Sequence, residues 1–274
     1  MSIKMIVTDL DGTLMGTDHL TISQRNREAF QKASEQGIKI VIASGRTLSI
    51  MGDVIKQLYK VDYAIVSNGA GIIDVSTKKE IYNNGLEYDT LKKLTGLIEK
   101  YGGGFEMYAE GESYMLEDSL NHFVNPELSD EFMRKLKKAI HPIQSVEELK
   151  NLQIEKINVL DVEEKEKESL FLELKDFNDI EMTSSMPGNL EINGSGVHKG
   201  KALQALCEIL GIKDTEVMAF GDGGNDVEML RWAKRSYAMG NASYDAKEAA
   251  RFVTKTNGED GLAIEIEKIW APKE

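Results

Sequence analysis

The sequence is poor in cysteine and proline, and each shortage excludes a class of protein. One cysteine, Cys207, occurs in 274 residues, so no disulfide can form within the chain. Cys207 lies in the apolar helical pattern "KALQALCEIL", which predicts a small core side chain rather than a nucleophile. With only four prolines, Pro-rich linkers are excluded. A reducing compartment, the cytoplasm, is the expected location.

Long apolar runs and positive charge are also scarce. No stretch approaches the ~18 consecutive apolar residues of a membrane helix. The opening segment "MSIKMIVTD" is too short and too acidic at its end to predict a signal peptide. The net charge is −13, with no basic stripe to reverse it locally, and such a chain repels nucleic acid and anionic membranes. Neither partner is expected, and we predict a monomer or a weak homodimer.

Short apolar runs alternate with helical patterns near both ends of the sequence. "IKMIVTD" (3–9), "IKIVIASGR" (38–46) and "DYAIVSNGA" (62–70) read as strands buried on both faces, with helical segments between them. "TEVMAF" (215–220) reads as a fourth strand of the same kind. The repeated order of strand, loop and helix predicts a parallel sheet with right-handed crossovers.

Between these parts the pattern changes to hairpins mixed with helices. Residues 71–85 and "FEMYAEGESYML" (105–116) read as hairpins with polar turns. We therefore predict an α/β fold with a doubly wound, mainly parallel sheet built from residues 1–83 and 187–274. An α+β unit is inserted at residues 84–186. Candidate contacts for a ligand within or beside it are "HFVNPE", "TSSMPG" and "GNLEIN", each of which also reads as plain loop.

Each predicted core strand ends in a small polar cluster. The four clusters are "TDLDGT", "ASGR", "SNGA" and "GDGGND". Ligands of parallel α/β sheets bind outside the carboxyl ends of the strands. The clusters are therefore expected to converge on one crevice.

Asp9 and Asp11 lie two residues apart at the end of the first strand, so an extended chain would point both side chains the same way. Adjacent carboxylates repel unless a cation lies between them or one is protonated. The alternative is a pair of solvated turn residues. A calcium loop is excluded, because Leu14 and Leu20 occupy the positions that require Gly and Glu.

"GDGGND" (221–226) places Asp222 and Asp226 beside glycines, which allow the backbone to approach a ligand closely. A dinucleotide fingerprint is excluded because Asp226 stands where Gly is required, and a P-loop because Ala202 stands where Ser or Thr is required. Acidic groups from the first and fourth strand ends suit a hard cation with oxygen ligands, Mg²⁺ first among them.

Ser44 and Lys199 are candidates for binding an anion. "ASGR" offers a hydroxyl and backbone N–H groups at a predicted helix N-terminus, although the serine could equally serve only as a cap. Lys199 lies in a turn bounded by glycine, where a purely solvated lysine is the alternative. The adjacent His198 reads as a turn residue rather than a ligand. Together with the acidic groups, this set matches phosphoryl transfer, which depends on positioning and charge neutralisation.

These motifs resemble those of the haloacid dehalogenase (HAD) superfamily of phosphatases, in its Cof-like branch with a large α/β cap. "DLDGTL" (9–14), "SGR" (44–46), the lysine of "VHKG" (197–200) and "GDGGNDVEML" (221–230) resemble the four family motifs in order. "SNGA", "YAMGNA" and "VTKTNGEDGLA" resemble further stretches of this branch. The resemblance implies a Rossmann-like core and makes the inserted unit the cap.

The resemblance also implies a role for each site residue. Asp9 would be the nucleophile that forms an aspartyl-phosphate, and Asp11 would act as acid and then base. Mg²⁺ would be held by the Asp9 carboxylate, the Asp11 carbonyl and Asp222, with Asp226 nearby through water. Phosphate oxygens would meet the backbone around Leu10 and Gly45 and the side chains of Ser44, Lys199 and Asn225.

The function that the resemblance implies is an Mg²⁺-dependent phosphatase of a small phosphorylated metabolite, with a sugar phosphate first among the candidates. A sugar phosphomutase and a non-catalytic phospho-ligand sensor on the same fold are the alternatives. Arg46 and Asn68 resemble support or substrate contacts. His198 stands where the branch often has Ser, and Gly224 where it often has a polar residue; both affect substrate contacts or outer-shell water rather than the chemistry.

Overall fold

The chain folds into two compact units. The computed structural model describes residues 2–16, 18–123, 130–183 and 190–270. Unit 1 consists of Met1–Arg46, Met51–Tyr82 and His198–Glu274. Unit 2 consists of Thr47–Ile50 and Asn83–Val197.

Strands and helices alternate along much of the described chain. The strands are β1 (Met5–Thr8), β2 (Lys39–Ala43), β3 (Tyr63–Val66), β4 (Gly71–Asp74), β5 (Lys79–Asn83), β6 (Gly104–Ala109), β7 (Glu112–Leu116), β8 (Ile140–Ile143), β9 (Ile154–Leu160), β10 (Ile180–Thr183), β11 (Leu190–Gly194), β12 (Val217–Gly221), β13 (Arg235–Ala238) and β14 (Phe252–Val253). The α-helices are α1 (Gln24–Glu35), α2 (Leu48–Ile55), α3 (Tyr88–Lys100), α4 (Glu117–His122), α5 (Asp130–Ala139), α6 (Glu164–Leu174), α7 (Lys199–Leu210), α8 (Val227–Trp232), α9 (Tyr244–Ala249) and α10 (Gly261–Glu267).

The first sheet has eight strands in the order β14-β13-β12-β1-β2-β3-β4-β5. The strands from β14 to β3 are parallel, and β4 runs antiparallel to β3. Strand order proceeds in one direction from β1 to β3 and in the other from β12 to β14, so the topological switch point lies between β1 and β12. This arrangement confirms the predicted doubly wound, mainly parallel α/β sheet.

Both faces of this sheet are covered, which explains the continuous apolar runs of its strands. On one face Met5 and Val7 pack with Leu203 and Leu206 of α7. The intervening residue Ile6 is also fully buried, on the face against which α1 packs at β2. Cys207 belongs to the same core, and burial raises the pKa of its thiol to about 12, as expected of a packing residue.

Unit 2 contains a six-stranded sheet in the order β10-β11-β9-β6-β7-β8, antiparallel except between β7 and β8. The predicted hairpin of β6 and β7 is present, and its two-residue turn, Glu110 and Gly111, has positive φ at both positions (51° and 78°). Phe105 and Ile157 contribute to the apolar core of this unit with Leu91 of α3. The inserted α+β segment is thus organised around its own sheet.

The position at which the chain returns to the first unit differs from our prediction. We assigned the chain from residue 187 onward to the first unit, but β11 pairs antiparallel with β9 and β10 in the second sheet, and unit 1 resumes at His198. The alternation of Glu191, Ile192 and Asn193 is typical of an antiparallel strand with one apolar face. "TSSMPG" and "HFVNPE" lie mostly outside the described residues. None of the helices in the described ranges has the length and apolar content that crossing a membrane requires.

Candidate active site

The four polar clusters lie along one edge of the first sheet. β12, β1, β2 and β3 are neighbours, and all four are parallel. Asp9 follows β1, Ser44 follows β2, the turn Ser67–Gly69 follows β3, and Asp222 follows β12. The convergence expected from the sequence therefore occurs, centred on the switch point between β1 and β12.

A turn of irregular helix, Leu10–Leu14, directly follows Asp9 and packs against the loop after β12. Thr13 donates a hydrogen bond from Oγ1 to Oδ1 of Asp222 at 2.6 Å. Gly12 has φ 72°, and a Cβ atom at this position would lie 2.3 Å from Asp222 Oδ2. Glycine is therefore required here both by conformation and by the proximity of the carboxylate.

Lys199 is the first residue of α7 and is completely buried. His198 is the N-cap of this helix, and its Nδ1 accepts a hydrogen bond from the Lys201 N–H at 3.0 Å, in agreement with its reading as a turn residue. Lys199 Nζ donates to Asp9 Oδ1 at 2.8 Å and to Asp226 Oδ1 at 2.7 Å. The structure thus excludes a solvated role for this lysine.

The pKa of Lys199 reflects this pairing. Burial alone would lower the pKa of the ammonium group, but the charges and hydrogen bonds of Asp226 and Asp9 raise it above its usual value. Lys199 is therefore a permanent positive charge beside Asp9. Burial raises the pKa of Asp9, an effect that Lys199 opposes and that the charges of Asp226 and Asp222 reinforce.

Asp9, Asp222 and Asp226 form an acidic cluster in which one oxygen of each residue lies within 4.8 Å of the others. Asp226 accepts hydrogen bonds at Oδ2 from the backbone N–H groups of Asp222 (2.9 Å) and Gly223 (3.0 Å), so it also fixes the conformation of its own loop. Burial, reinforced by the charge of Asp226, raises the pKa of Asp222 to about 6. Repulsion within the cluster is therefore incompletely relieved by Lys199.

The charges and ligand types of this acidic cluster fit a divalent metal ion. Three carboxylates face a single ammonium group, and a divalent cation would neutralise the two remaining negative charges. Carboxylate oxygens are the ligands that hard cations prefer. The chemistry of the residues present thus agrees with a divalent metal centre between the ends of β1 and β12.

The Asp11 side chain does not join the acidic cluster and instead contacts Arg46 and His19. Its Oδ1 accepts from Arg46 Nη2 (2.5 Å) and from His19 Nδ1 (2.6 Å), and its Oδ2 accepts from Arg46 Nε (2.9 Å). Burial would raise the pKa of Asp11, but Arg46 and His19 together hold it below its usual value. Asp9 and Asp11 do not share one face of a strand, because β1 ends at Thr8 and the chain turns between them.

Ser44 is buried at the end of β2, where its hydroxyl oxygen accepts a hydrogen bond from the Arg46 N–H at 3.2 Å. The following helix, α2, begins only at Leu48. Our expectation that Ser44 lies at a helix N-terminus is therefore wrong. The buried Leu10 begins the irregular turn after β1, and Gly45 lies in the loop after β2; contact of their backbone with phosphate stays a prediction.

Two asparagines, for which the sequence predicts no role in the site, hold the turn after β1 in place by hydrogen bonds. Asn241 donates from Nδ2 to the Gly12 carbonyl at 2.8 Å, and its Oδ1 accepts from the Asn257 N–H at 3.0 Å. Asn257 in turn donates from Nδ2 to the Met15 carbonyl at 2.8 Å. Their motifs, "GNA" and "TNGED", were visible in the sequence, but nothing in the local pattern connects them with a turn more than 200 positions away.

The sequence and the fold are both similar to those of known proteins. A family model described as haloacid dehalogenase-like hydrolase matches residues 6–266. The chain belongs to this family. Membership confirms the resemblance stated from the four motifs, and the phosphatases among the relatives confirm the expected enzyme class, a hydrolase of the phosphatase type.

Relatives and solved structures cover almost the whole chain. The 5-amino-6-(5-phospho-D-ribitylamino)uracil phosphatase YcsE of Bacillus subtilis is 31% identical over 97% of this chain and 95% of its own length. A haloacid dehalogenase-like hydrolase from Bacteroides thetaiotaomicron has a TM-score of 0.85 and 32% identity, covering 98% of this chain and 100% of that one. The HAD subclass IIB sugar phosphatase BT4131 has a TM-score of 0.79 and 26% identity, covering 97% and 98%.

Proposed function

We propose that the protein is an Mg²⁺-dependent phosphatase that hydrolyses a small phosphorylated metabolite through an aspartyl-phosphate on Asp9. The observation that carries this proposal is the environment of Asp9. Its Oδ1 is held by the buried Lys199, whereas its Oδ2 receives no hydrogen bond from the described residues. One oxygen is thereby fixed, and the other is available as a nucleophile.

Asp9 and Asp222 would hold the metal directly, together with the Asp11 carbonyl, and Asp226 would act through water. The indirect role of Asp226 is supported by its existing contacts, because its two oxygens already accept hydrogen bonds from Lys199 and from two backbone N–H groups. When bound, the ion supplies positive charge that offsets the repulsion between carboxylates and phosphate. The remaining chemistry belongs to side chains of the chain itself.

In the first step, Asp9 Oδ2 forms a bond to phosphorus while the bond from phosphorus to the leaving alcohol oxygen breaks. Asp11 donates a proton to that oxygen, so a neutral alcohol leaves. In the second step, Asp11 takes a proton from water as the water oxygen bonds to phosphorus. The bond between phosphorus and Asp9 then breaks, which returns the free carboxylate and inorganic phosphate.

The ion pair between Asp11 and Arg46 bears on the first step. A carboxylate held by a guanidinium group at 2.5 Å and 2.9 Å is ionised and cannot donate a proton. Asp11 therefore has to exchange this contact for a proton before it can act as an acid. Arg46 is assigned a supporting role for Asp11 on this basis.

The phosphate group would be held by Lys199, by the side chains of Ser44 and Asn225, and by the backbone at Leu10 and Gly45. We assign unit 2 the role of the cap. The substrate class is a phosphate monoester on a sugar or sugar-alcohol chain, a proposal supported by the activities of the similar ribitylaminouracil phosphatase and subclass IIB sugar phosphatase.

The experiment is a screen of phosphorylated metabolites and p-nitrophenyl phosphate with Mg²⁺, comparing the wild type with Asp9→Asn. We expect hydrolysis by the wild type and a loss of at least about 10³-fold in the variant, because the covalent step is removed. Asp53→Asn, an exposed surface substitution, is the matched control. Unchanged turnover by Asp9→Asn would reject the nucleophile. Turnover that depends on a sugar bisphosphate would indicate a phosphomutase, and a stable phosphoenzyme without turnover would indicate a sensor.

A further inference from the structure

The turn after β3 has an unusual backbone. Ser67, Asn68 and Gly69 all have positive φ, at 51°, 61° and 104°. Non-glycine residues seldom adopt this region, and two consecutive ones persist only where the surroundings impose the conformation. Ser67 and Asn68 are also buried. The turn is therefore held in a strained conformation inside the protein.

Backbone hydrogen bonds connect this turn to the loop after β2. The Asn68 N–H donates to the Ser44 carbonyl at 3.0 Å, and the Ser67 N–H donates to the Arg46 carbonyl at 3.2 Å. Ser44 is one of the proposed phosphate contacts, and Arg46 pairs with Asp11. The strained turn thus fixes the segment that carries both residues.

The same turn packs against the start of α7. A Cβ atom at Gly69 would lie 2.6 Å from the His198 carbonyl oxygen and 3.1 Å from the Lys199 nitrogen. The glycine allows the two backbones to approach this closely. The turn therefore also borders the segment that carries Lys199.

The Asn68 side chain reaches the third segment, the loop after β12. Asn225 donates from Nδ2 to Asn68 Oδ1 at 3.1 Å. The carbonyl oxygen of the Asn225 amide lies against Gly223, where a Cβ atom would be 2.8 Å away. An amide amino group has two hydrogens, so Asn225 retains one that can be directed to an anion.

We propose that Asn68 is a positioning residue for phosphate binding, which orients the Asn225 amide through their hydrogen bond. This inference rests on the proposed phosphatase function, in which Asn225 contacts the phosphate. Glycine would adopt the same backbone conformation with less strain, so conformation alone does not account for asparagine at position 68. The Asn68 side chain accepts one hydrogen of the Asn225 amide, which fixes the orientation of that amide and leaves its second hydrogen to be donated to a phosphate oxygen.

The decisive variant is Asn68→Gly, which keeps the backbone conformation and removes only the side chain. We expect the melting temperature to change little, because the relieved backbone strain offsets the greater freedom of glycine in the unfolded chain and the lost side-chain hydrogen bond. We expect kcat/KM to fall about tenfold and the inhibition constant of inorganic phosphate to rise by a similar factor. Lys78→Gly is the matched control, since Lys78 has φ 56° in an exposed hairpin turn, and its activity should not change.

A double-mutant cycle with Asn225→Ala tests the connection itself. If Asn68 acts through Asn225, adding Asn68→Gly to Asn225→Ala has no further effect on phosphate inhibition. Full activity of Asn68→Gly, or effects of the two substitutions that multiply, would overturn the proposal. The wild-type enzyme is measured in parallel, so the absence of any phosphatase activity, which would reject the proposed function, is distinguishable from failure of this inference.

Discussion

At the scale of single residues, the site depends on how closely the turn after β1 approaches Asp222. Gly12 makes this close approach possible in two ways. It adopts a left-handed backbone conformation, and it has no side chain that would collide with the Asp222 carboxylate. Gly224, in the loop after β12, has open space where a Cβ would be placed and has no positive φ. The two glycines of the same site are therefore under very different constraints.

We predict that Gly12→Ala lowers kcat/KM at least about 100-fold, because the methyl group displaces the Asp222 carboxylate and small displacements of catalytic groups are costly. Gly224→Ala should stay within about twofold of the wild type. Steady-state kinetics with p-nitrophenyl phosphate measures both, and circular dichroism checks that the variants are folded. Equal activities of the two variants would show that the position of Asp222 does not matter.

Which site residues could be predicted depended on how each is positioned. Asp9, Lys199, Asp222 and Asp226 follow directly from strand ends or a helix start, and periodicity locates these well. The contact of Asp11 with His19 depends on the irregular turn Leu10–Leu14, for which the sequence has no periodic signal. The pairing of Asn68 with Asn225 likewise joins two turns that only the sheet brings together.

At the scale of secondary-structure elements, Asp62 joins β2 to β3. Its Oδ2 accepts from the Ile40 N–H at 3.0 Å, and its Oδ1 is contacted by Lys39 Nζ at 3.1 Å and Lys60 Nζ at 2.8 Å. Burial would raise the pKa of Asp62, but the Lys60, Ile40 and Lys39 contacts lower it below its usual value of 3.8. A carboxyl group with a depressed pKa stabilises the folded protein above the unfolded pKa, and this stabilisation is lost as the pH falls through the folded pKa.

We therefore predict that Asp62→Asn lowers the free energy of unfolding by about 1 kcal/mol at pH 7. The difference from the wild type should shrink as the pH falls below about 4, because the unfolded wild-type chain then binds a proton that the folded protein takes up only at lower pH. Urea unfolding between pH 3 and pH 7 measures the difference. Asp53→Asn, at an exposed pair with Lys56, serves as the control and should have no effect at either pH. A difference for Asp62→Asn that is independent of pH would contradict the ionic origin of the stabilisation.

Most elements of the first sheet could be predicted because buried parallel strands are unbroken apolar runs between helical patterns. Unit 2 was harder. β8 was not predicted. Its Pro142 weakens the strand signal, and the strand is tolerated because β8 lies at the edge of its sheet, where a missing N–H costs no ladder bond. The segment of β11 was assigned to the first unit, which we predicted to resume at residue 187, because its pairing with β9 and β10 in the second sheet has no local signal.

At the scale of the whole molecule, the acidic cluster connects the stability of the fold with the divalent ion that we propose it holds. A ligand that binds only the folded state stabilises it by about 2.7 kcal/mol at a concentration of 100 times its Kd. Charge repulsion among Asp9, Asp222 and Asp226 is present in the folded protein and is relieved when a cation binds. The unfolding equilibrium of the entire chain should therefore respond to divalent ions.

We predict that Mg²⁺ raises the melting temperature by several degrees and that a chelator reverses this increase. Asp222→Asn should be at least as stable as the wild type without metal, because one half-buried negative charge is removed from the cluster, but it should lose most of the Mg²⁺ effect. Differential scanning fluorimetry with and without MgCl₂ makes the comparison. An equal rise in the melting temperature of Asp222→Asn on addition of Mg²⁺ would show that the ion binds at another site.

The hydrogen bond between Thr13 and Asp222 spans 209 positions of the chain. During synthesis on the ribosome, at roughly 5–20 residues per second, the first aspartate emerges many seconds before its partners are made. Every incomplete translation product that stops short of Asp226 lacks part of the acidic cluster that we propose to be catalytic. Phosphate ester cleavage would thus begin only when nearly the whole polypeptide has been produced, so unfinished chains released early could not consume the cell's phosphorylated metabolites.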